Sequence, residues 1–386
     1  VPARTAPFIR TALAIAATAG LAACSTSVDG TPEEQPTGPL TQVLGEADIE
    51  EAVGSAPFPI DVVAHPDGHL TALIGPRDRT STVDTFLVDL VPGEDGPEAS
   101  NVRPLPTLDW SAELHLTADG TVVVAGLVGE GVERGPRILV MRPGADEPEI
   151  IDPDLDADYL ESTLSPDGST LYVNPTLDTT EPQDPQLLAV DIATGETMGS
   201  VDLPPGGEAQ DMATTADGAV TALIAIRTPD GAHSSRLVTY DADLEQVSDT
   251  ELYPPDDSYA AALSVAADGT AVVTVNAGQW DDRVATVFLV ADGEVTELAT
   301  LDEAQQAPDG IAVDAAGEYA YLPYETRDGD AVVSVVEMAT GQVTDVDLCD
   351  DGFGFDAIAL ATDGATLAVL GSCDTTRDVV ILLGRG

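Results

Sequence analysis

The chain contains no lysine, and its fourteen arginines face sixty-nine aspartates and glutamates, for a formal net charge of −55 over 386 residues. A surface this poor in cations repels nucleic-acid backbones and anionic lipid headgroups, which excludes both as partners of the folded body. It suits a protein kept soluble in high salt, or one whose partner is cationic. Aromatic residues make up only 4 %, so Val, Leu, Ile and Ala must build the core, as they do in short strands buried on both faces. The four histidines, His65, His69, His115 and His233, form no Ser-His-Asp arrangement and no copper-type cluster, and no phosphate-binding glycine loop is present, so catalysis has little support. Helical apolar spacing is also missing from the repeated stretches, which removes helical solenoids from consideration.

What the sequence has instead is one hairpin, written seven times: HPDGHLTALI, TADGTVVVAG, SPDGSTLYVN, TADGAVTALI, AADGTAVVTV, DAAGEYAYLP and ATDGATLAVL. In each, a tight turn is followed by an alternating strand; glycine supplies the positive φ, and in all but DAAGEYAYLP the preceding Asp can bond its own backbone. The turn glycines Gly68, Gly120, Gly168, Gly218, Gly269, Gly317 and Gly364 are 52, 48, 50, 51, 48 and 47 residues apart. A period of about fifty residues built from strands and turns marks the blade of a β-propeller. Strand a precedes the turn and strand b follows it. Strand c reads as DTFLVDL, RILVMRP, QLLAVDI, RLVTYDA, ATVFLVA, AVVSVVE and DVVILLG, and a second turn such as IATGET or MATGQV leads to strand d. The expected fold is all-β: a seven-bladed propeller of four-stranded blades. Only 22 residues follow Gly364, enough for strands b and c but not d. An open ring would leave an exposed sheet edge, so a strand within Leu40 to Ile49 is expected to serve as strand d of the last blade.

Three segments follow from this. Residues 1–23 read as a signal peptide, with Arg4 and Arg10 as its basic region and Thr11 to Ala23 as an apolar run too short to span a bilayer. Leu21-Ala22-Ala23-Cys24 resembles the lipobox of bacterial lipoprotein precursors, which implies a diacylglycerol lipid anchor on Cys24 and a location on the outer face of the bacterial plasma membrane. Residues 24–37 carry that cysteine and a Ser, Thr, Pro and acid-rich disordered tether. Without the two leader arginines, twelve arginines remain against sixty-nine acids, a balance of −57. Residues 38–386 form the propeller, expected as a monomer that meets the membrane only through the anchor. Its repeats, best seen in APDGIAVDAAGEYAYLP and in LSPDGSTLYVN followed by LLAVDIATGET, resemble YVTN-type and NHL-type propeller repeats. Propellers of this kind serve as enzymes, carriers and docking platforms.

The a–b and c–d turns share one rim of such a ring, while the longer d–a and b–c loops share the other, where function is expected. An acid recurs seven or eight residues before the turn glycine, at Asp61, Glu113, Glu161, Asp211, Asp309 and Asp356, with Ala262 in its place in the fifth blade. Strand a lines the channel, so these carboxylates crowd its mouth and must recruit cations, shift their pKa values, or find partners. One reading is a cation site for Ca²⁺, a hard ion taking oxygen ligands, with Asn174 and Asn276 adding carbonyl oxygens. Gluconolactonase-like propellers hold a metal in the channel with Glu, Asp and Asn. The other reading is structural, with the acids bonding backbone amides or the arginines of neighbouring blades. Arg77, Arg79, Arg134, Arg137, Arg227, Arg236, Arg283, Arg327 and Arg377 all lie in b–c loops or at the start of strand c.

Asp152-Pro153-Asp154-Leu155-Asp156-Ala157-Asp158 opens like a calcium loop but lacks the Gly and the closing Glu of one, and reads as a solvated acidic loop. Cys349 and Cys373 fall on one rim in neighbouring blades and are expected to form a disulfide, as an extracytoplasmic address permits. Trp110, Tyr159, Tyr259, Trp280, Phe353 and Phe355 map to the loop-rich rim, as a binding patch or as plugs between blades. The leading expectation is a non-enzymatic platform for a protein partner or ligand on that rim. The alternative is a lactonase-like or other hydrolase using channel-mouth carboxylates with a divalent cation.

Overall fold

The Asp-Gly turns fold as their residue types require. In the third repeat Ser165 donates its N–H to Thr170 O at 2.8 Å, Gly168 donates to Ser165 O at 2.9 Å, and the Asp167 carboxylate accepts from Ser169 N at 3.0 Å. Gly168 sits at φ +70°, and a Cβ there would lie 2.6 Å from Thr117 in the preceding blade's turn, so backbone and packing both require glycine. All seven turn glycines have positive φ. The computed structural model describes residues 38–54, 58–75, 84–93, 96–109, 111–129, 134–177, 185–227, 233–253, 258–266, 268–278, 284–361, 363–374 and 377–385. The expectations for residues 1–37, Cys24 among them, and for Trp110 and Trp280 fall outside these residues.

Seven four-stranded sheets follow one another along the chain. A first strand, β1 (Leu40–Asp48), leads into a single-turn helix, α1 (Ile49–Val53), capped by the Asp48 carboxylate. The first blade is β2 (Phe58–Ala64), β3 (Leu70–Gly75), β4 (Thr85–Gly93) and β5 (Gly96–Leu105). The second is β6 (Glu113–Leu116), β7 (Val122–Val128), β8 (Gly135–Met141) and β9 (Glu149–Ile151). The third is β10 (Tyr159–Leu164), β11 (Thr170–Thr176), β12 (Gln186–Asp191) and β13 (Thr197–Asp202). The fourth is β14 (Gly207–Thr214), β15 (Val220–Arg227), β16 (His233–Tyr240) and β17 (Gln246–Tyr253). The fifth is β18 (Ser258–Val265), β19 (Ala271–Ala277), β20 (Val284–Ala291) and β21 (Glu294–Leu301). The sixth is β22 (Ala312–Val313), β23 (Tyr319–Glu325), β24 (Ala331–Glu337) and β25 (Gln342–Cys349). The seventh holds β26 (Phe353–Leu360), β27 (Thr366–Cys373) and β28 (Arg377–Arg385), and its fourth member is β1.

The fold is a seven-bladed β-propeller, closed as the missing last strand demands. β1 runs antiparallel to β28 from Leu40↔Arg385 to Asp48↔Val379. Arg377 pairs with Glu46, and Arg385 Nε donates to Gly38 O at 3.0 Å. Leu40 is buried in the seam between the sixth and seventh blades, where its N–H donates to the Tyr321 hydroxyl at 3.2 Å. Apolar burial is partitioned in the same way. Each of the seven buried clusters joins two adjacent blades, for example Val123, Ala125 and Val140 of the second with Leu171, Val173 and Val190 of the third. No blade buries both of its faces alone, which is why the ring is the folding unit.

Two further contacts guard the closing joint. Cys349, at the end of β25, forms a disulfide with Cys373, at the end of β27, with Cα atoms 6.0 Å apart. The long β4–β5 hairpin lies against β1, so close that a Cβ on Gly96 would meet Glu46 O at 2.8 Å. The disulfide closes a loop across 24 residues, for which chain-entropy reasoning gives about 3 kcal/mol. Replacing both cysteines by serine is therefore expected to lower the urea midpoint of unfolding by a corresponding amount. An unchanged midpoint would show that β1 alone sets the strength of the joint.

Candidate functional site at the channel mouth

Strand a is the innermost strand of its blade, so one row of its backbone N–H groups faces the channel with no strand to receive it. The recurring acids meet that need. Asp61 Oδ2 accepts from Leu114 N at 2.7 Å, Glu113 Oε2 accepts from Ser162 N at 2.7 Å, and Asp211 Oδ2 accepts from Leu263 N at 2.6 Å. In each case the acid of one blade caps the amide of the residue that follows the equivalent position in the next blade. Asn174 and Asn276 act alike: their side-chain carbonyls accept from Ala209 N at 2.9 Å and Ala307 N at 2.7 Å, again one blade on. Three of the expected arginines have other partners, Arg134 with Asp109, Arg137 with Asp152 at 3.1 Å, and Arg236 with Asp249 at 2.8 Å. Of the two structural partners expected for the acids, these groups take backbone amides.

The acids are not all equivalent. Asp309 is exposed and lies ahead of β22, because the inner strand of the sixth blade is only two residues long. Asp356 lies on β26, and its side chain is outside the described residues. Glu161 hydrogen-bonds to Glu113, and burial with the neighbouring charges of Glu113, Asp211 and Glu208 raises its pKa well above the usual carboxylate range. A hydrogen bond between two carboxyls needs a proton on one of them, and burial raises the pKa of Glu113 as well, to about 7. Burial likewise raises Asp61 to about 6, against the two backbone amides that bond it, and raises Asp211 well above its usual value. His115 joins this group: its Nε2 lies 2.8 Å from Ser162 Oγ, beside Glu113, and burial lowers its pKa to about 4, leaving it neutral. With Val62, Ala64, Leu114, Leu164 and Ala359 it lines an opening of about 470 Å³ at the turn-side end of the channel. Among the described residues no group of three or more His, Cys, Asp or Glu is arranged to hold a metal ion.

At the loop-rich end, Tyr259 and Phe353 are 36 % and 45 % exposed. Tyr259 donates its hydroxyl to Gln210 of the fourth blade and meets the His233 ring edge-on at 6.3 Å. Phe353 sits 6.3 Å from Phe58, a mouth residue that sequence reasoning missed, although Phe58 stands ten residues before its turn glycine just as Tyr259 does. Gly354 makes room for that pair, since a Cβ there would lie 2.6 Å from Phe58 Cζ. Tyr159 is half-buried at the start of β10. Phe355 is not part of an open patch: it is 1 % exposed, and its ring fills the space left by the missing side chain of Gly371. The loop from Asp152 to Asp158 carries an Asx turn, with Asp154 N donating to Asp152 Oδ1 at 3.0 Å, and leaves Asp152, Asp154 and Asp156 exposed.

The opposite rim is less uniform than its tight turns suggest. In the first blade His65 Nε2 lies 2.9 Å from Thr71 Oγ1, which donates to Asp89 Oδ1 at 2.7 Å, and Asn101 and Arg103 bond the same carboxylate. This chain of bonds runs from the turn after β2 across β3, β4 and β5. His65 stacks on His69 with centroids 3.7 Å apart, and both line a cleft of about 480 Å³ with Asp89, Arg103, Asp119 and Arg142. The signal for it lay in the first turn, HPDGH, where the other repeats have no histidine.

No family model matches the sequence, and no curated protein is similar to it. Solved structures share the fold. A hydrazine synthase chain from Kuenenia stuttgartiensis superposes with a TM-score of 0.62 at 16 % identity, covering 90 % of this chain and 97 % of that one. The β-propeller domain of the Trilobed protease from Pyrococcus furiosus, described as having an open velcro topology, gives 0.56 at 11 % identity, covering 85 % and 96 %. A candidate 6-phosphogluconolactonase from Bacteroides uniformis gives 0.51 at 15 % identity, covering 75 % and 85 %. At these identities the likeness is one of fold alone, and it places the chain among β-propellers.

A carboxyl with a raised pKa binds its proton more tightly in the folded than in the unfolded chain, so stability falls as pH rises from the unfolded value through the folded one. For Asp61 and Glu113 that window runs from about pH 4 to about 7. The unfolding midpoint is therefore expected to rise when the pH is lowered from 8 to 5, and Glu113→Gln, which keeps an acceptor for Ser162 N, is expected to flatten that slope. Glu113→Ala removes the acceptor and should lower the midpoint at both pH values. A pH profile identical in wild type and Glu113→Gln would exclude this carboxyl as a source of the slope.

Proposed function

We propose that the chain is a lipid-anchored propeller of the YVTN or NHL type on the outer face of the bacterial plasma membrane, where it holds a protein partner or ligand on its loop-rich rim. The observation that carries this reading is the exposure of Tyr259 and Phe353 at the channel mouth. Large aromatic side chains that stay partly exposed at the rim of a ring are suited to anchoring a partner. The acids behind them hold blade to blade through backbone amides, a task a platform tolerates and an active site does not favour. The lipobox at Cys24 supports the anchor, and the Cys349–Cys373 disulfide suits an oxidising compartment.

A lactonase-like or other hydrolase is the second reading, with Ca²⁺ or another divalent cation at the mouth. It is favoured by the Glu113–Glu161 pair, two hydrogen-bonded carboxyls whose pKa values burial raises, the kind of pair that acid–base chemistry uses.

Three measurements separate these readings. Cys24→Ser is expected to abolish incorporation of labelled palmitate and move the protein from the detergent phase to the aqueous phase; retention of the label would remove the anchor at this residue. A photo-crosslinking side chain at position 259 or 353 is expected to yield discrete adducts in cells, and the same group at Asp217, on the turn rim, none. Adducts from position 217 alone would move the platform to the other rim, and none at any position would overturn it. Calorimetry with millimolar Ca²⁺ is expected to show no saturable heat; saturable heat lost in Asp309→Asn or Glu113→Gln would favour the hydrolase.

A further inference from the structure

The two aromatic groups of the mouth stand on opposite sides of the ring. Phe58 and Phe353 straddle the seam between the seventh and first blades, whereas Tyr259 and Gln210 straddle the seam between the fourth and fifth. Glu208 is exposed at the start of β14, two residues before Gln210, and the carboxyls of Asp61, Glu113 and Asp211 lie a few residues further along their strands. The contents of this mouth discriminate among ligands. An anion would meet the recessed carboxyls and a chain of net charge −55. A neutral apolar group would cover the rings but leave the carboxyls without a counter-charge. A cation gains from both, since aromatic faces attract it and a channel lined by one sign of charge focuses the field on it. The Asp61 and Asp211 oxygens that each cap one amide retain capacity for a further hydrogen bond.

Resting on the platform reading, we propose that the mouth takes an arginine or lysine side chain presented by a basic peptide segment of the partner. The aromatic walls hold the aliphatic stem and the charged head, and the cation favours the ionised form of the recessed carboxyls, whose pKa values burial otherwise raises, and is met by that charge. A peptide suits the site better than a free small cation because the Phe58–Phe353 and Tyr259 groups are separate walls, so a chain crossing the mouth touches both.

The test uses the full chain and two fluorescent peptides of sequence Ser-Gly-X-Gly-X-Gly-Ser, with X either arginine or citrulline, which has nearly the same shape without the charge. Fluorescence anisotropy is read at low and at moderate salt. The arginine peptide is expected to bind at least about tenfold more tightly, with the difference shrinking as salt rises. Tyr259→Leu and Phe353→Leu, which keep an apolar side chain but remove the ring, are each expected to weaken it by about two- to fivefold. Asp167→Asn with Asp217→Asn, on the turn rim, should change it by less than about twofold. Circular dichroism and the unfolding midpoint confirm that each variant folds, and Tyr259→Phe, expected to retain binding, separates loss of the ring from loss of the hydroxyl. Equal affinity for the two peptides overturns the charge requirement; if both then weaken in the leucine variants, the rim still binds a partner and only its cationic nature is refuted. An effect of the turn-rim pair as large as that of the aromatic variants reduces the attraction to a diffuse one and overturns the site, as does failure of either peptide to bind.

Discussion

The unpaired inner edge of strand a is the constraint on which the rest of this ring depends. In a flat sheet such an edge could be covered by another strand; around a channel it cannot, and its amides must be met by side chains. Acids on the first, second and fourth blades and asparagines on the third and fifth reach across the seams to do so. The same reach fixes how each blade is set against the next, so the channel wall and the seams are one construction. Its cost is electrostatic. Carboxyls placed there lose water and face one another, and their pKa values rise in consequence.

Closure is a second problem with a layered solution. Buried apolar clusters join every pair of neighbours, including the first and last blades. Around the seventh blade the chain adds the β1–β28 pairing, an ion pair between Arg377 and Glu46, a disulfide to the sixth blade, and a hairpin of the first blade laid against β1. The joint has to hold two ends of the chain that are not otherwise connected, so a concentration of bonds there follows from the topology.

Much of this was legible in the residues. The seven turns, the fifty-residue period and the shortfall after Gly364 lead directly to the blade count and to β1 as the closing strand, because turn chemistry and strand alternation are local signals. The recurring acid was visible as a pattern, but its role was not: a hydrogen bond to an amide about fifty residues away in another blade leaves no local trace. Phe355 shows the same limit. An irregularity between Phe353 and Ala357 turns it inward against Gly371, and neither the bulge nor the space beside a glycine can be read from alternation. Blade 1 offered a clue in its HPDGH turn, yet the partners Thr71, Asp89 and Arg103 lie on three different strands and are assembled only by the register.

The pairing of β1 with β28 also imposes an order in time. β1 is made before any blade, yet the strand it completes comes last, and Glu46 must wait for Arg377 across 331 residues of intervening chain. Until that chain has emerged, β1 is an exposed, half-apolar edge with Val43 and Leu44 on its surface. Blades can form one after another as they are synthesised, but the ring as a whole gains its last seam only at the end. That delay keeps the ring open until its last strand has been made, so the seven blades wait as a stack with two unmatched ends.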